Sequence, residues 1–298
     1  GDLKVEASRN VSLKGSILGH QDISIVSLSI VSEKEIFAHK TMQVECSGPI
    51  FFQDRVVGVQ GITLRVGDRI FYKDAGPDIT SQTSGLQTGG TLEIISAVPK
   101  LCFRSPLSLL GLFVFKGPQA YNLSTLKSQK GFVFLTPFVE EGFGLVNCGK
   151  LISEEGNLYV EGNTTHYPQG EIYSSRQAHF KGHLNYFQGP LTIKEHLRIH
   201  TLHKWGLSYC PTVFETCPSV TFAFDMGKQL NQPLESPETE LTLEGPSITV
   251  TKPFTVKEIK GDTPKISFIF QEDFTLTSPI QAKGELLIQA PSVVAKKK

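Results

Sequence analysis

The chain has 298 residues, of which 39% are hydrophobic and 19% are charged, and its 29 basic residues balance 29 acidic ones. This length accommodates one large domain or two ordinary ones. Zero net charge argues against a nucleic-acid-binding protein and against a protein held to membranes by electrostatic attraction. The low charged fraction argues against long solvated helices. The 27 glycines and 17 prolines indicate many short elements.

A short repeat begins at the amino terminus. Apolar pairs recur in steps of 20, 19 and 20 residues, at Leu3/Val5, Ile23/Ile25, Met42/Val44 and Ile62/Leu64. Each pair alternates with polar residues, which is the pattern of a half-buried strand. The same pattern predicts a second strand per repeat at Val11/Leu13, Leu28/Ile30, Ile50/Phe52 and Ile70/Tyr72, and a third at Ile17, Ile36 and Val56.

Two later blocks follow the same pattern. Leu158/Val160, Ala178/Phe180 and Leu197/Ile199 are separated by 20 and 19 residues. Near the carboxyl terminus, residues 240–248 resemble residues 285–293, and residues 248–256 resemble residues 274–282. Ile266/Phe268 precede Leu286/Ile288 by 20 residues. We therefore expect equivalent coils in all three blocks.

Coils of about 20 residues with three short alternating strands predict an all-β fold, a right-handed parallel β-helix whose successive strands stack in register. An antiparallel sandwich also has short strands, but it does not account for a constant step in three separate blocks. We expect one elongated domain over residues 1–298. Its parts are regular coils at 1–75, loop-rich coils at 76–135, regular coils at 136–204, an irregular excursion at 205–240 and terminal coils at 241–298.

The first block resembles the repeats of filamentous-haemagglutinin-type proteins, the exoproteins of two-partner secretion and contact-dependent inhibition. The resemblance rests on residues 2–7, 10–17, 22–25 and 35–44, which read as a polar residue, alternating apolar residues and a turn. It covers about the first 75 residues well. It implies a secreted, rod-like adhesive module without catalysis. A weaker resemblance to bactofilins, through Leu13, Gly15 and Ile17, implies a cytoplasmic self-assembling polymer instead.

These resemblances set the functional expectations. The first implies a secreted or cell-surface location and a protein or glycan receptor on another cell as the partner, and the second implies end-to-end self-association. We expect no cofactor, no nucleic acid and no transmembrane segment, because no apolar run reaches the ~18 residues that span a bilayer. A third hypothesis is a polysaccharide-active β-helix enzyme. It requires acidic residues stacked on one outer sheet, and no such set is evident in the sequence.

The densest group of possible metal ligands lies between residues 196 and 217. His196, His200, His203, Cys210 and Cys217 belong to the residue types that bind zinc. However, inward Leu197 and Ile199 place His196 and His200 on the outer face of one strand, ~13 Å apart, which is too far for a shared ion. We therefore expect no metal site. Cys210 and Cys217 are close enough in sequence for a disulfide in an oxidising compartment.

Aromatic residues are the other candidates for a binding surface. Too many of them occur for all to point inward by simple alternation. Exposed aromatic rings are a usual means of glycan or protein recognition. The candidates are Tyr173, Tyr186, Phe187 and Trp205.

Overall fold

A computed structural model describes residues 1–67, 70–72, 86–104, 106–138, 144–203, 206–276 and 278–295. These residues contain strands and turns and no helix. Every strand pair in this part of the chain is parallel, and each strand pairs with its equivalent in the next coil. The structure therefore confirms the predicted parallel β-solenoid. Within the same residues, there is no helix long and apolar enough to cross a membrane.

One sheet, here called the long sheet, runs through all the described coils and contains 14 strands. Its first two strands pair Leu3 with Ile23 and Val5 with Ile25, as the repeat predicts. The strands are Leu3–Glu6, Ile23–Ser27, Thr41–Cys46, Gly61–Val66, Thr91–Ser96, Phe113–Lys116, Gly131–Leu135, Asn157–Glu161, Ala178–Gly182, Leu197–Thr201, Ser219–Phe224, Leu234–Glu244, Phe254–Asp262 and Ile280–Ala282.

The other two sides of the coils are built from shorter sheets. The N-terminal sheets contain Asn10–Leu13, Ser29–Ser32, Ile50–Phe52 and Ile70–Tyr72, and Ile17–Gly19, Ile36–Ala38, Val56–Gly58 and Leu86–Gln87. The middle sheets contain Leu101–Phe103, Ala120–Asn122, Leu145–Asn147, Thr164–His166, Asn185–Phe187 and Leu207–Tyr209, and Leu107–Leu109, Thr125–Ser128, Lys150–Ser153, Glu171–Ser174 and Leu191–Ile193. The C-terminal sheets contain Lys228–Leu230, Ile248–Val250, Lys265–Ile269 and Glu285–Gln289, and Phe274–Leu276 and Val293–Ala295.

The interior is one continuous apolar core in which inward residues of successive strands stack. Phe113 and Phe134, for example, lie with ring centroids 5.6 Å apart and are fully buried. Each inward position buries apolar surface against the coils before and after it, at ~25 cal/mol per Å². The repeated step therefore stabilises the fold because it aligns these columns.

A polar column lies inside this core, in the middle sheets. Asn122, Asn147 and His166 occupy consecutive positions of one ladder, and none is exposed to solvent. The Asn122 amide donates to Asn147 Oδ1 at 2.7 Å, and the Asn147 amide donates to His166 Nδ1 at 3.2 Å. His166 Nε2 then donates to the Pro190 carbonyl oxygen at 3.1 Å. Because these groups satisfy one another, the column tolerates burial.

Two expected segments differ from the structure. Residues 76–135 were expected to be loop-rich, but 86–104 and 106–135 form strands that continue the ladders. Residues 76–85 lie outside the described residues. Residues 206–240, expected to be an excursion, include the strand Ser219–Phe224, which pairs with Leu197–Thr201. The irregular part there is the turn-rich segment 210–218. Both segments resemble loops in composition because they contain many Gly and Pro residues, which form the short turns at the corners between strands.

Two pairs of segments that were expected to occupy equivalent positions in different coils do not do so. Val11 pairs with Ile30 rather than with Leu28, whose side chain is 49% exposed. In the third block, the strand containing Leu241 belongs to the long sheet, whereas the strand containing Leu286 belongs to a C-terminal sheet. The similarity of segments 240–248 and 285–293 therefore reflects a shared strand-and-turn pattern and not equivalent positions in the coil. The predicted step from Ile266/Phe268 to Leu286/Ile288 is confirmed.

Candidate functional site

The predicted histidines lie on the outer face of the long sheet. Leu197 and Ile199 are fully buried, and the residues that alternate with them, His196, Arg198 and His200, are partly exposed. The outward placement expected from the repeat is thus confirmed. It follows from the two-residue period of side chains along a strand.

Each of these histidines has its own neighbour. His196 Nδ1 lies 2.9 Å from Ser219 Oγ, and His200 Nε2 lies 2.6 Å from Asp225 Oδ1. Burial, with the charge of Arg198 as a second cause, lowers the pKa of His196. In the part of the chain that the structure describes, no group of three or more His, Cys, Asp or Glu side chains is placed to hold a metal ion.

The remaining candidate ligands lie apart from that strand. His203 is exposed, and its ring centroid lies 6.5 Å from that of His183. Cys217 is buried, and its Sγ lies 3.5 Å from the Leu191 carbonyl oxygen, while Cys210 is half-buried. Both thiols are free, so the disulfide considered from their spacing is not formed. Burial raises the pKa of Cys217 to about 11, which keeps this thiol protonated and a poor metal ligand.

The aromatic candidates do not form one surface. Phe187 was expected outside, but it is fully buried and lies 5.0 Å from Phe180, centroid to centroid. It occupies the ladder position directly after His166, which points inward. Tyr186 is 36% exposed and Tyr173 is half-buried, and they belong to different sheets. Trp205 lies outside the described residues.

A charge-paired wall on the long sheet was not evident from the sequence. Lys181 Nζ lies 3.4 Å from Glu161 Oε1. Arg198 binds Glu244 with both guanidinium NH2 groups, at 3.1 and 2.7 Å, although two coils separate these residues. Glu244 lies on the outward column next to that of Arg198, the column of His200 and Ala223, and only the register brings these residues together, because they are 46 positions apart in the chain. The wall is charge-balanced at these pairs.

A half-buried imidazole, that of His179, lies in the same wall. The rings of Tyr159 and His179 meet edge to face with centroids 5.3 Å apart, and Tyr159 Oη donates to Glu161 Oε2 at 3.1 Å. His179 Nε2 is buried and has no hydrogen-bond partner among the described residues. Burial, followed by the positive charge of Arg198, lowers the pKa of His179 to about 4. His179 is therefore neutral at physiological pH.

A polar cleft of about 730 Å³ opens on the C-terminal coils. Three successive coils form it, through residues 227–229, 247–253 and 269–273. Its lining is rich in hydroxyl, amide and charged side chains: Lys228, Gln229, Ser247, Thr249, Thr251, Lys252, Gln271, Glu272 and Asp273. This volume lies within the range of small-molecule binding sites, about 300–1,000 Å³.

Lys228 has an unusual position in this cleft. It pairs with Ile248, which pairs with Ile266, so a lysine occupies a position that is isoleucine in the next two coils. Its side chain is only 6% exposed, and Nζ lies 5.8 Å from the centroid of the Phe224 ring. Burial lowers the pKa of Lys228 to about 8. Lys228 could not be identified from the sequence, because only the strand register shows that it occupies an inward position.

A scan against protein-family models, a search of curated proteins and a search of solved structures each find no match for this chain. What this chain does must therefore be inferred from its own geometry and chemistry. The resemblance of the first block to filamentous-haemagglutinin repeats remains a prediction.

Proposed function

We propose that this chain is a non-enzymatic binding module, an adhesin-like or receptor-binding segment of a secreted bacterial exoprotein. The observation that carries the proposal is the polar cleft of about 730 Å³ on the C-terminal coils. Insertions and concavities on one side of a solenoid are common binding surfaces. The stacked coils present this cleft on a rigid support.

The chemistry of the cleft favours a receptor rich in hydroxyl groups, such as a glycan on another cell. The side chains of Ser247, Thr249 and Gln229 both donate and accept hydrogen bonds. The ion pairs on the long sheet, such as Glu161 with Lys181, keep that wall close to neutral. A neutral wall limits non-specific attraction to charged surfaces, so recognition is left to local contacts.

Binding of the fluorescently labelled chain to intact cells tests this function. We expect saturable binding that excess unlabelled chain displaces and that periodate oxidation of cell-surface glycans abolishes. Binding destroyed by protease and spared by periodate would identify a protein receptor instead. Binding that never saturates on any cell type would refute the receptor-binding role, and release of unsaturated or reducing ends from acidic polysaccharides would refute the non-enzymatic one.

A second candidate function is a self-assembling structural polymer of the bactofilin kind. The observation that favours it is the coil at residues 280–295, where Leu286, Leu287, Val293 and Val294 are 38–51% exposed. Strands at the end of a parallel stack also present unpaired backbone groups. A second copy of the chain stacked on this coil would cover the apolar side chains and pair the backbone.

Electron microscopy and analytical ultracentrifugation of concentrated protein test the polymer. End-to-end stacking predicts filaments one solenoid wide and loss of these filaments in Leu286→Lys. The matched control is Leu110→Lys, because Leu110 is 68% exposed and lies far from the terminal coil. A monomer at all concentrations would refute the polymer, and so would filaments that persist in Leu286→Lys.

A further inference from the structure

The buried polar column has a fixed direction of hydrogen-bond donation. The backbone N–H of Ser124 donates to Asn122 Oδ1 at 3.2 Å, and this contact leaves the Asn122 NH2 group to donate to Asn147 Oδ1. Asn147 in turn directs its own NH2 group at His166 Nδ1. At the other end, the Pro190 carbonyl oxygen can only accept, so Nε2 of His166 carries the ring proton. His166 is therefore held as the neutral Nε2–H tautomer, with Nδ1 as an acceptor.

A second proton on His166 does not fit this arrangement. It would turn Nδ1 into a donor that faces the NH2 group of Asn147. If the Asn147 amide rotated to offer its oxygen, its NH2 group would face that of Asn122, and the Glu171 carbonyl oxygen would lose its donor. If Asn122 rotated as well, its NH2 group would face the N–H of Ser124. The mismatch can therefore move along the column, but rotation of the amides cannot remove it.

The immediate surroundings of the ring are neutral. The backbone groups that approach it are carbonyl oxygens, those of Asn147, Gly189 and Pro190. The Asn147 oxygen already accepts from the N–H of Tyr167 at 3.0 Å, and Phe187 occupies the ladder position after His166. Burial lowers the pKa of His166 and outweighs the carbonyl oxygens, which act in the opposite direction.

The titratable side chains next to the column are engaged with one another on its outer side. Lys150 Nζ lies 2.9 Å from Glu171 Oε2, and both side chains are partly exposed. Cys148 directs its thiol at Tyr121 Oη, 3.8 Å away, and Tyr167 interacts with the same phenol. These pairings leave the hydrogen bonds of the column itself to decide whether the ring accepts a proton.

We propose that the polar column is a pH-sensitive joint of the solenoid. A proton taken up at His166 Nδ1 breaks the hydrogen bond from Asn147 and opens the contact between the strands Leu145–Asn147 and Thr164–His166. Coils of a solenoid contact mainly their neighbours, so the opening stays local. Acid therefore loosens the middle of the rod while the first block and the C-terminal cleft stay folded. The joint does not depend on what the cleft binds.

The sign of the effect follows from proton linkage. An unperturbed histidine has a pKa of about 6.5, and burial lowers the pKa of His166 in the closed column. The opened column takes up the proton first, so the closed state loses stability as pH falls below about 6.5. His179 in the following coil also has a lowered pKa, of about 4, and its contribution must be separated by substitution.

Nitrogen-15 NMR of the chain labelled at histidine reads the state of His166 directly. Replacing the other histidines one at a time assigns its signal. At pH 7.5 we expect a protonated Nε2 and an unprotonated, hydrogen-bonded Nδ1. A neutral Nδ1–H tautomer would overturn the proposal, and so would a ring that titrates near pH 6.5 while the coils stay closed.

Hydrogen exchange measured by mass spectrometry, corrected for the intrinsic effect of pH, locates the opening. Between pH 7.5 and 5, we expect exchange in Leu145–Asn147 and Thr164–His166 to accelerate about tenfold, as uptake of one proton allows. Exchange in Thr41–Cys46 of the first block should stay constant. Constant protection of the two middle strands down to pH 5 would overturn the joint.

Variants assign the opening to one imidazole. His166→Gln keeps one acceptor and one donor but cannot be protonated in this range, so it should abolish the acceleration at pH 5. The matched control is His20→Gln, at an exposed ring stacked on His39 in the first block, and it should keep the full acceleration. His179→Gln should keep it in Thr164–His166 as well. Acceleration that persists in His166→Gln would overturn the proposal, and if this variant fails to fold, the NMR and exchange of the unaltered chain decide.

Discussion

The buried polar column gives the sharpest test of how this solenoid is stabilised. Asn147 is fully buried and connects three groups: it accepts from Asn122 at 2.7 Å and donates to His166 at 3.2 Å and to the Glu171 carbonyl oxygen at 3.3 Å. Asn147→Ala leaves His166 Nδ1 and the Glu171 oxygen without this donor. Each unsatisfied buried group costs about 1–3 kcal/mol, so for these two groups we expect a loss of about 2–6 kcal/mol in the free energy of unfolding.

Urea unfolding followed by circular dichroism measures this loss, and hydrogen exchange shows where it occurs. Coils of a solenoid contact mainly their neighbours, so we expect faster exchange in Leu145–Asn147 and Thr164–His166 than in the first block. Asn147→Leu fills the space with an apolar side chain but leaves the same polar groups unsatisfied. It should therefore be destabilised by a similar amount.

The matched control is Asn231→Ala, because Asn231 is exposed. We expect it to change stability by less than about 0.5 kcal/mol, as surface substitutions usually do. A loss below about 1 kcal/mol in Asn147→Ala would refute the reasoning. Full stability in Asn147→Leu would show that only the volume of the side chain matters at this position.

Three further predictions follow from packing, turns and titration. Phe113→Ala removes a fully buried ring and should cost about 3–5 kcal/mol by urea unfolding, whereas Phe138→Ala, at a ring 38% exposed, should cost far less. Gly111→Ala places a Cβ atom 1.3 Å from a backbone oxygen of the previous coil and should lower the thermal midpoint, whereas Gly15→Ala meets no atom within 4 Å and should not. Acidification from pH 6.5 to 4 should destabilise the fold, because His179 has a pKa of about 4 when folded and about 6.5 when unfolded, and the unfolded chain takes up the proton first.

Each of these has a result that would contradict it. Equal losses for Phe113→Ala and Phe138→Ala would show that burial does not determine the cost. A normal thermal midpoint for Gly111→Ala would show that adjacent coils separate easily at this turn. In His179→Gln, the decrease in the free energy of unfolding between pH 6.5 and 4 should be smaller than in the unaltered chain. An unchanged decrease would show that other titratable groups cause it.

The long sheet shows how much the sequence predicted. Leu3, Ile23, Met42 and Ile62 stack as the 20-residue step requires. The alternation of apolar and polar residues specified which side chains point inward. The prediction succeeded because every coil must bury an apolar residue at each inward position. The apolar pattern therefore recurs in each successive coil.

Several features of the candidate site could not be predicted from the sequence. Phe187 is preceded by Tyr186, and nothing in the pair of aromatic residues indicates that only Tyr186 is exposed. Arg198 and Glu244 are two coils apart, and no local pattern connects them. Similarly, Leu241 and Leu286 lie in similar sequence segments but on different sheets.

The sequence alone therefore determined the fold class, the step of the coils and the inward face of most strands, because the period of a strand is local. Only the tertiary structure decided which strand of each coil stacks on which, because corners of variable length change the offset between coils. That stacking places Lys228 where the next two coils have isoleucine, and it joins residues from segments 227–229, 247–253 and 269–273 into one cleft. The binding chemistry proposed here arises from the alignment of distant turns, which no local segment specifies.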